Sequence, residues 1–213
     1  MNKPTSMPQV EAQHYGFTNY MSSARWSSFW KQAYEVLKLL PESVLEIGPG
    51  AGVAKKILVQ EILSVKTMDI AADLKPDIIG SITNIPLADD SVDVVLCAEV
   101  MEHLPFDEFE SALHEINRVC RIGAVISLPH WGRFLKVGFT VPKFGFVKFG
   151  IPAQLGSEQH SFDGEHYWEI GKAGYHPRKI RYCLEKYFIV EQDERLWENP
   201  YHHFYRLRKR QLN

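Results

Sequence analysis

The sequence predicts an α/β protein with a doubly wound parallel sheet, and three features carry that prediction. Short apolar runs alternate with amphipathic stretches from Val44 to Leu128. One of these runs opens into a glycine-rich turn and then a helix-compatible segment, the strand–turn–helix order of a parallel crossover unit. Two alternating stretches near the end of the chain read as a closing hairpin.

The 213 residues suit a single domain, 1–213, in which 1–41 form an N-terminal arm and helix and 129–172 an insertion. A net charge of −2 argues against a protein that grips nucleic acid. Cys97, Cys120 and Cys183 are odd in number and widely spaced, which suits a reducing compartment and no disulfide framework. The polar start lacks the apolar core of a secretory signal, and no stretch has the apolar length of a membrane span, so a cytoplasmic protein is expected.

In order, Met1 to Gln13 read as a loose arm. From Asn19 to Leu40 the residues Trp26, Phe29, Trp30, Ala33, Leu37 and Leu40 recur at helical spacing as one apolar face, which Pro41 terminates. Val44 to Ile47 form a buried strand that contains Glu46. Gly48-Pro49-Gly50-Ala51-Gly52 follows as the turn, and Val53 to Gln60 as the helix. Glycines reach positive φ and let a ligand approach closer than a Cβ permits, so the turn is built to hold a nucleotide-like cofactor. The dinucleotide pattern G-x-G-x-x-G requires a third glycine at position 53, which is Val53. Ser64 to Asp69 is a second strand. Asp69, followed by Ile70, stands about twenty residues past the glycines, where such folds place a carboxylate on a ribose diol. Asp77 to Gly80 is a third strand leading to Ser81 and Ile82. Ser91 to Cys97 is a continuous apolar run of the fully buried type, and beyond its end Ala98 and Glu99 face the crevice. An amphipathic helix from Phe106 to Val119 precedes a fifth strand, Ala124 to Leu128, which runs into Pro129-His130.

From Trp131 to Gly164 the alternation breaks. This irregular stretch interleaves Phe134, Phe139, Phe144, Phe146 and Phe149 with Arg133, Lys136, Lys143 and Lys148, and has no acid before Glu158. It reads as a lid whose cations attract an anionic acceptor, or as a peripheral membrane contact through 131–151. His160-Ser161-Phe162-Asp163-Gly164-Glu165-His166 is the densest titratable cluster. Its spacing matches no metal-ligand pattern, so no metal is expected. His166 is the first candidate for a general base, oriented by Asp163 or Glu165, with His130 and His103 behind it. Pro177 to Tyr187 read as the last helix, before strands Phe188 to Trp197 and His202 to Leu207. Arg206, Arg208, Lys209 and Arg210 read as a solvated basic end.

The run Glu46-Ile47-Gly48-Pro49-Gly50-Ala51-Gly52, with Val92-Asp93-Val94-Val95 and Glu99-Val100-Met101-Glu102-His103-Leu104, resembles the class I S-adenosylmethionine-dependent methyltransferases of the small bacterial, methyltransferase domain 11 type. That resemblance implies a Rossmann-like sheet of seven strands, the last antiparallel, with helices on both faces. It also implies S-adenosyl-L-methionine as cofactor and S-adenosylhomocysteine as product. The cofactor residues it points to are Glu46, Gly48, Pro49, Gly50, Gly52, Asp69, Ile70, Ser81, Ile82, Ala98, Glu99 and His103. Of these, Glu99 meets the methionine ammonium, and Tyr15, Tyr20 and Arg25 fold over the pocket. Position 81 departs from the family pattern, which has an aspartate there. The stretch Gly164-Glu165-His166-Tyr167-Trp168-Glu169 resembles a subgroup whose acceptors belong to cell-surface glycan or lipid pathways, so the expected partner is a small-molecule, glycan or lipid-linked acceptor and not nucleic acid. Two rival readings are a nicotinamide-dependent oxidoreductase, against which Val53 counts, and a non-catalytic adenosyl-binding scaffold, against which the intact glycine turn and Asp69 count.

Overall fold

The computed structural model describes residues 17–153, 156 and 158–210; the arm Met1 to Gln13 and Tyr15 lie outside the described residues. Seven strands form one sheet in the order β3-β2-β1-β4-β5-β9-β8. They are β1 (Ser43–Ile47), β2 (Ser64–Asp69), β3 (Ile78–Ile79), β4 (Val92–Ala98), β5 (Cys120–Pro129), β8 (Phe188–Arg195) and β9 (His202–Lys209). β1 to β5 pair in parallel, and β9 is antiparallel to both β5 and β8. The sheet is therefore the doubly wound one expected, with its last strand reversed.

Two helical layers cover it. Along β1 and β4 successive side chains alternate between them, so these strands are apolar at nearly every position. Leu45, Ile47, Val95 and Cys97 pack with α4 (Phe109–Val119) and α5 (Pro177–Tyr187) through Phe109, Leu113, Ile116, Ile180 and Leu184. Val44, Val94 and Leu96 pack with α2 (Ser23–Leu37) and α3 (Val53–Leu58) through Phe29, Ala33, Val36, Ala54 and Leu58. No helix among the described residues is long and apolar enough to cross a membrane.

Three expectations are corrected. The first helix is broken into α1 (Phe17–Tyr20) and α2, whose N-cap Ser22 accepts the Arg25 amide; it ends at the Lys38 cap, before Leu40 turns to φ 54°. Its buried face is Phe29, Ala33 and Val36, whereas Trp26 and Trp30 are 54% and 56% exposed and Leu40 is 84% exposed. Both sets repeat at helical spacing, and only the position of the sheet decides which one is buried.

Second, the glycine- and aromatic-rich stretch is regular. β6 (Phe134–Val141) and β7 (Gly145–Pro152) form a separate antiparallel hairpin. Its turn, Pro142-Lys143, closes with a Phe144 amide bond to the Val141 carbonyl, and Lys143 and Gly145 take φ 70° and 83°. The rings of Phe134 and Phe146 lie where a Cβ on Gly150 or Gly138 would fall, so these glycines seat aromatic rings flat on the strands. That face meets Trp197, and the opposite face is Leu135, Val137, Phe139, Val141, Val147, Phe149 and Ile151.

Third, the basic end is paired. Arg206 bonds buried Glu35 and Glu191, Arg208 bonds Glu191, and Lys209 bonds Asp90. An internal strand between β5 and β8 brings its cations against neighbouring acids.

Candidate active site

The carboxyl ends of β1 and β4 open on one crevice, and β2 ends beside β1. At the end of β1 the glycines take left-handed φ, 67° at Gly48, 49° at Gly50 and 65° at Gly52, and Gly52 caps α3. Gly48 donates its amide to the Met68 carbonyl of β2, and a Cβ there would stand 2.4 Å from Val100 Cγ2. The backbone thus passes at glycine-only distance from the loop after β4. A narrow pocket lies above, lined by Glu46, Gly48, Pro49 and Gly50, by Ala98 and Glu99, by His202, and by Tyr20 and Arg25 from the helical segment. Arg25 sits 4.0 Å over the Tyr20 ring.

Glu46 is 4% exposed and its Oε2 has no hydrogen-bond partner among the described residues. Burial outweighs the Lys55 amide and charge and pushes this carboxyl up to about 7. Asp69 closes β2, and its Oδ1 accepts the Ala71 amide at 2.8 Å; burial raises it against its backbone hydrogen bonds. Ile70 follows at the same strand end. The Ser81 hydroxyl is engaged with Thr83, and Ile82 is buried in the core. Position 81 therefore turns its side chain into a local loop, in keeping with its departure from the family pattern.

Past β4, Glu99 holds φ 54°, an uncommon backbone for a residue with a Cβ. Its Oε1 accepts the Ser127 hydroxyl at 2.7 Å, and its Oε2 is 3.8 Å from His202 Nε2. Glu102 is fully buried, with neither carboxylate oxygen hydrogen-bonded among the described residues. Burial, with the charges of Glu99 and Glu169, pushes it well above the ordinary carboxylate range. His103 beside it has Nδ1 3.0 Å from the Glu165 carbonyl; burial holds its pKa below the usual value.

The segment carrying His166 arrives from far along the chain and is nailed down here. Tyr167 donates its amide to the Glu102 carbonyl, Ile170 donates to Pro129, and the indole of fully buried Trp168 donates to Leu104 at 3.1 Å. Trp168 packs on Phe106 and Phe109, and a buried tryptophan of this kind is worth on the order of 3–5 kcal/mol on truncation. The rings of His103 and His166 consequently meet edge to face at 5.1 Å. His166 Nδ1 lies 3.1 Å from Glu169 Oε1, which also accepts the Tyr201 hydroxyl at 2.5 Å. Burial lowers the His166 pKa, but the Glu169 hydrogen bond and the surrounding acids more than offset it, and the net shift is upward.

This differs from the pairing expected. Asp163 Oδ1 accepts the backbone amides of Glu165 and His166, and Glu169 holds the ring instead. His160 Nε2 is bonded to the His166 carbonyl. Glu169 stands three residues past His166, whereas Tyr201 carries no local signal of a role, since only long-range docking brings it to Glu169. His130 does not join His166. It pairs with His203 through Nδ1 atoms 2.7 Å apart, His203 Nε2 meets Asp193 at 2.6 Å, and burial with the Arg195 charge pushes His130 down to about 3. That relay lines a separate cleft of about 1380 Å³ between the β6–β7 hairpin and the exposed side of α2, together with Trp26, Trp30, Trp197, Lys148 and Arg195.

Comparison with known proteins gives a partial domain match and a fold. Residues 45–128 match the sequence model of a methyltransferase domain. A search of curated proteins found no match to the chain. Among solved structures, the chain is similar to a Pyrococcus horikoshii OT3 protein with a TM-score of 0.60 at 13% identity, over 94% of this chain and 100% of that one. It is similar to the N-methyltransferase NodS of Bradyrhizobium japonicum WM9, solved with S-adenosyl-L-homocysteine, at 0.59 and 13% over 89% of each chain. A third likeness is the 1,6-didemethyltoxoflavin-N1-methyltransferase of Burkholderia thailandensis, solved with 1,6-didemethyltoxoflavin and S-adenosylhomocysteine, at 0.60 and 14% over 95% and 92%. Identities this low speak for the fold alone.

Proposed function

We infer that this chain, a class I methyltransferase by its domain and its sheet, transfers the methyl group of S-adenosylmethionine to a glycan, lipid-linked or other small-molecule acceptor. The observation that carries the reading is the glycine turn opening on a pocket floored by Glu46, a buried carboxyl with an unused oxygen. Glu46, whose Oε2 has no partner among the described residues, takes the methionine ammonium in place of Glu99, whose Oε1 already accepts the Ser127 hydroxyl; Glu99 stands at the same end of the cofactor. Asp69 keeps its second oxygen for the ribose diol, and Ile70, Ser81 and Ile82 border the adenine side through the main chain. Pro49, Gly50 and Gly52 shape the loop, and Ala98 bounds the methyl end. Tyr20 and Arg25 close over the cofactor from α1 and α2.

Methyl transfer needs the sulfonium carbon and the nucleophile aligned and water kept out, and alignment can supply about 7–11 kcal/mol of the barrier. His103 and His166 flank the place of the acceptor beyond Glu99 and are the residues on which activation of its nucleophile rests. His130 belongs to the wider cleft. There, exposed indoles suit the sugar faces of a bulky acceptor.

The Glu46 carboxyl makes cofactor affinity depend on pH. Its pKa is raised in the folded protein, so its contribution to stability is present below about 4.5 and is lost as pH rises through about 7. Cofactor bearing an ammonium binds the ionised form. Affinity for S-adenosylhomocysteine is therefore expected to rise about tenfold between pH 6 and 8, with proton release on binding. Titration calorimetry in two buffers of different ionisation heat reads both quantities. A flat profile in the wild type, or the same slope in Glu46→Gln, would remove Glu46 from the site.

Peripheral contact with an anionic lipid surface through the hairpin belongs to the same reading. One hairpin face is wholly apolar, and at the tip Phe144 is 84% exposed beside Lys143. Sedimentation with phosphatidylcholine vesicles containing phosphatidylglycerol is expected to pull down the protein, less so at high salt and much less for Phe139→Asp or Lys143→Glu. Equal sedimentation of both variants with the wild type would exclude this contact.

A further inference from the structure

We propose that Glu102, His103 and His166 bind one divalent transition-metal cation beside the cofactor pocket, and that this ion receives the hydroxyl oxygen of the acceptor. The proposal deepens the methyltransferase reading, on which its second half rests. Ligand atoms of the three residues lie within 4.8 Å of one another, and His103 Nε2 is 4.0 Å from Glu102 Oε1. Sub-ångström adjustments bring such a set to the spacing around a single ion of about 2 Å bond length.

Two independent features point to a ligand. Glu102 is 0% exposed and neither of its oxygens is hydrogen-bonded among the described residues, an arrangement that is costly unless something positive is held there. Glu99 and Glu169 add negative charge around it. In addition, each histidine has its Nδ1 against an oxygen: His103 on the Glu165 carbonyl at 3.0 Å, and His166 on the Glu169 carboxylate at 3.1 Å. Metal-bound imidazoles are held in this way, one nitrogen on the ion and the other on a carboxylate or carbonyl. A second trio, Asp163, His166 and Glu169, also lies within 4.8 Å. Its acids are already engaged, Asp163 Oδ1 by two backbone amides and Glu169 Oε1 by Tyr201, so Glu169 is the residue that positions His166.

Two imidazoles and one carboxylate select zinc, cobalt, manganese or iron over magnesium and calcium, which prefer oxygen ligands. An ion with three protein ligands keeps positions for substrate and lowers the pKa of a hydroxyl it binds. The acceptor is thus an alcohol, such as a sugar hydroxyl. Its O–H proton passes to water, its oxygen forms the new bond to the methyl carbon, and the breaking C–S bond leaves its electron pair on the sulfur of S-adenosylhomocysteine.

The experiment is titration of chelator-treated full-length protein with Co²⁺ and Zn²⁺, read by calorimetry and by the visible absorption of bound Co²⁺, with S-adenosylhomocysteine binding measured on every sample. The expected result is one ion per wild-type chain, with that stoichiometric site lost in Glu102→Gln and in His166→Ala while the adenosyl compound still binds. Glu169→Gln should bind the ion about 10- to 100-fold more weakly and shift the Co²⁺ spectrum. If Glu102→Gln fails to bind the adenosyl compound and so proves misfolded, His166→Ala decides. A wild type that takes up no equivalent of either ion, or folded variants that bind as well as it does, would overturn the site. Uptake of Co²⁺ without adenosyl binding would leave the ion site standing and remove the methyltransferase reading instead.

Discussion

Gly48→Ala is expected to abolish useful binding of S-adenosylhomocysteine, whereas Gly52→Ala is expected to weaken it by no more than about 5- to 30-fold. Both glycines are left-handed, at φ 67° and 65°. Placing a Cβ in that region costs about 1–2 kcal/mol. At Gly52 nothing lies within 4 Å of the added carbon, and that conformational cost is the whole effect. At Gly48 the new Cβ falls 2.4 Å from Val100 Cγ2, and Val100 is a short, stiff side chain held by the loop after β4. Overlap of this kind adds about 1–3 kcal/mol or displaces the backbone. The sum is about 2–5 kcal/mol, or roughly 30- to several-thousand-fold in affinity if the cofactor requires the native loop. A protein of ordinary stability remains folded under that burden. Calorimetry and thermal denaturation of the two variants check it, and equal losses for both would show that the close approach at Gly48 does not matter.

His166→Ala is expected to lower turnover by about 10²- to 10⁴-fold while leaving S-adenosylhomocysteine affinity unchanged. The ring is not among the residues that line the narrow pocket beside the glycine turn, where the cofactor is proposed to bind. Its loss removes one of the two imidazoles proposed to activate the nucleophile and leaves Glu169 with Tyr201 alone. His130→Ala is the contrast, because that ring sits in the separate cleft, bonded to His203. It is expected to act through the Michaelis constant of a bulky acceptor more than through kcat. Steady-state kinetics with a competent acceptor separates the two, and an unchanged kcat in His166→Ala would remove that residue from the chemistry.

What could be read from the chain was the part whose physics is local. The strand that ends in Glu46, the glycines at 48, 50 and 52, the position of Asp69, and the apolar runs of β4 and β5 follow from residue spacing. Each depends on neighbours within about one turn or one strand. The closing hairpin of β8 and β9 was legible for the same reason. Even the departure at Ser81 announced itself, and its hydroxyl is indeed spent on Thr83.

The remainder was decided by contacts between distant segments. Trp26 and Trp30 repeat at the same interval as Phe29 and Ala33, so helical spacing alone could not tell which set meets the sheet. Phe134, Gly138, Phe146 and Gly150 looked irregular one by one, and became a hairpin only when each ring found a glycine on the opposite strand. Asp163 and Glu169 both stand three residues from His166 and Glu165 is adjacent to it, so spacing does not choose among them; Trp168 docking on Leu104 turns the His166 ring to Glu169 and Tyr201. The same docking sets His166 against Glu102-His103 and leaves His130 to His203. Sequence alone determined the glycine turn and the strand end that floor the narrow pocket, because a glycine turn is built from adjacent residues. Only tertiary structure decided which groups gather around His166, because those groups come from segments about sixty residues apart that meet through packing around one buried indole.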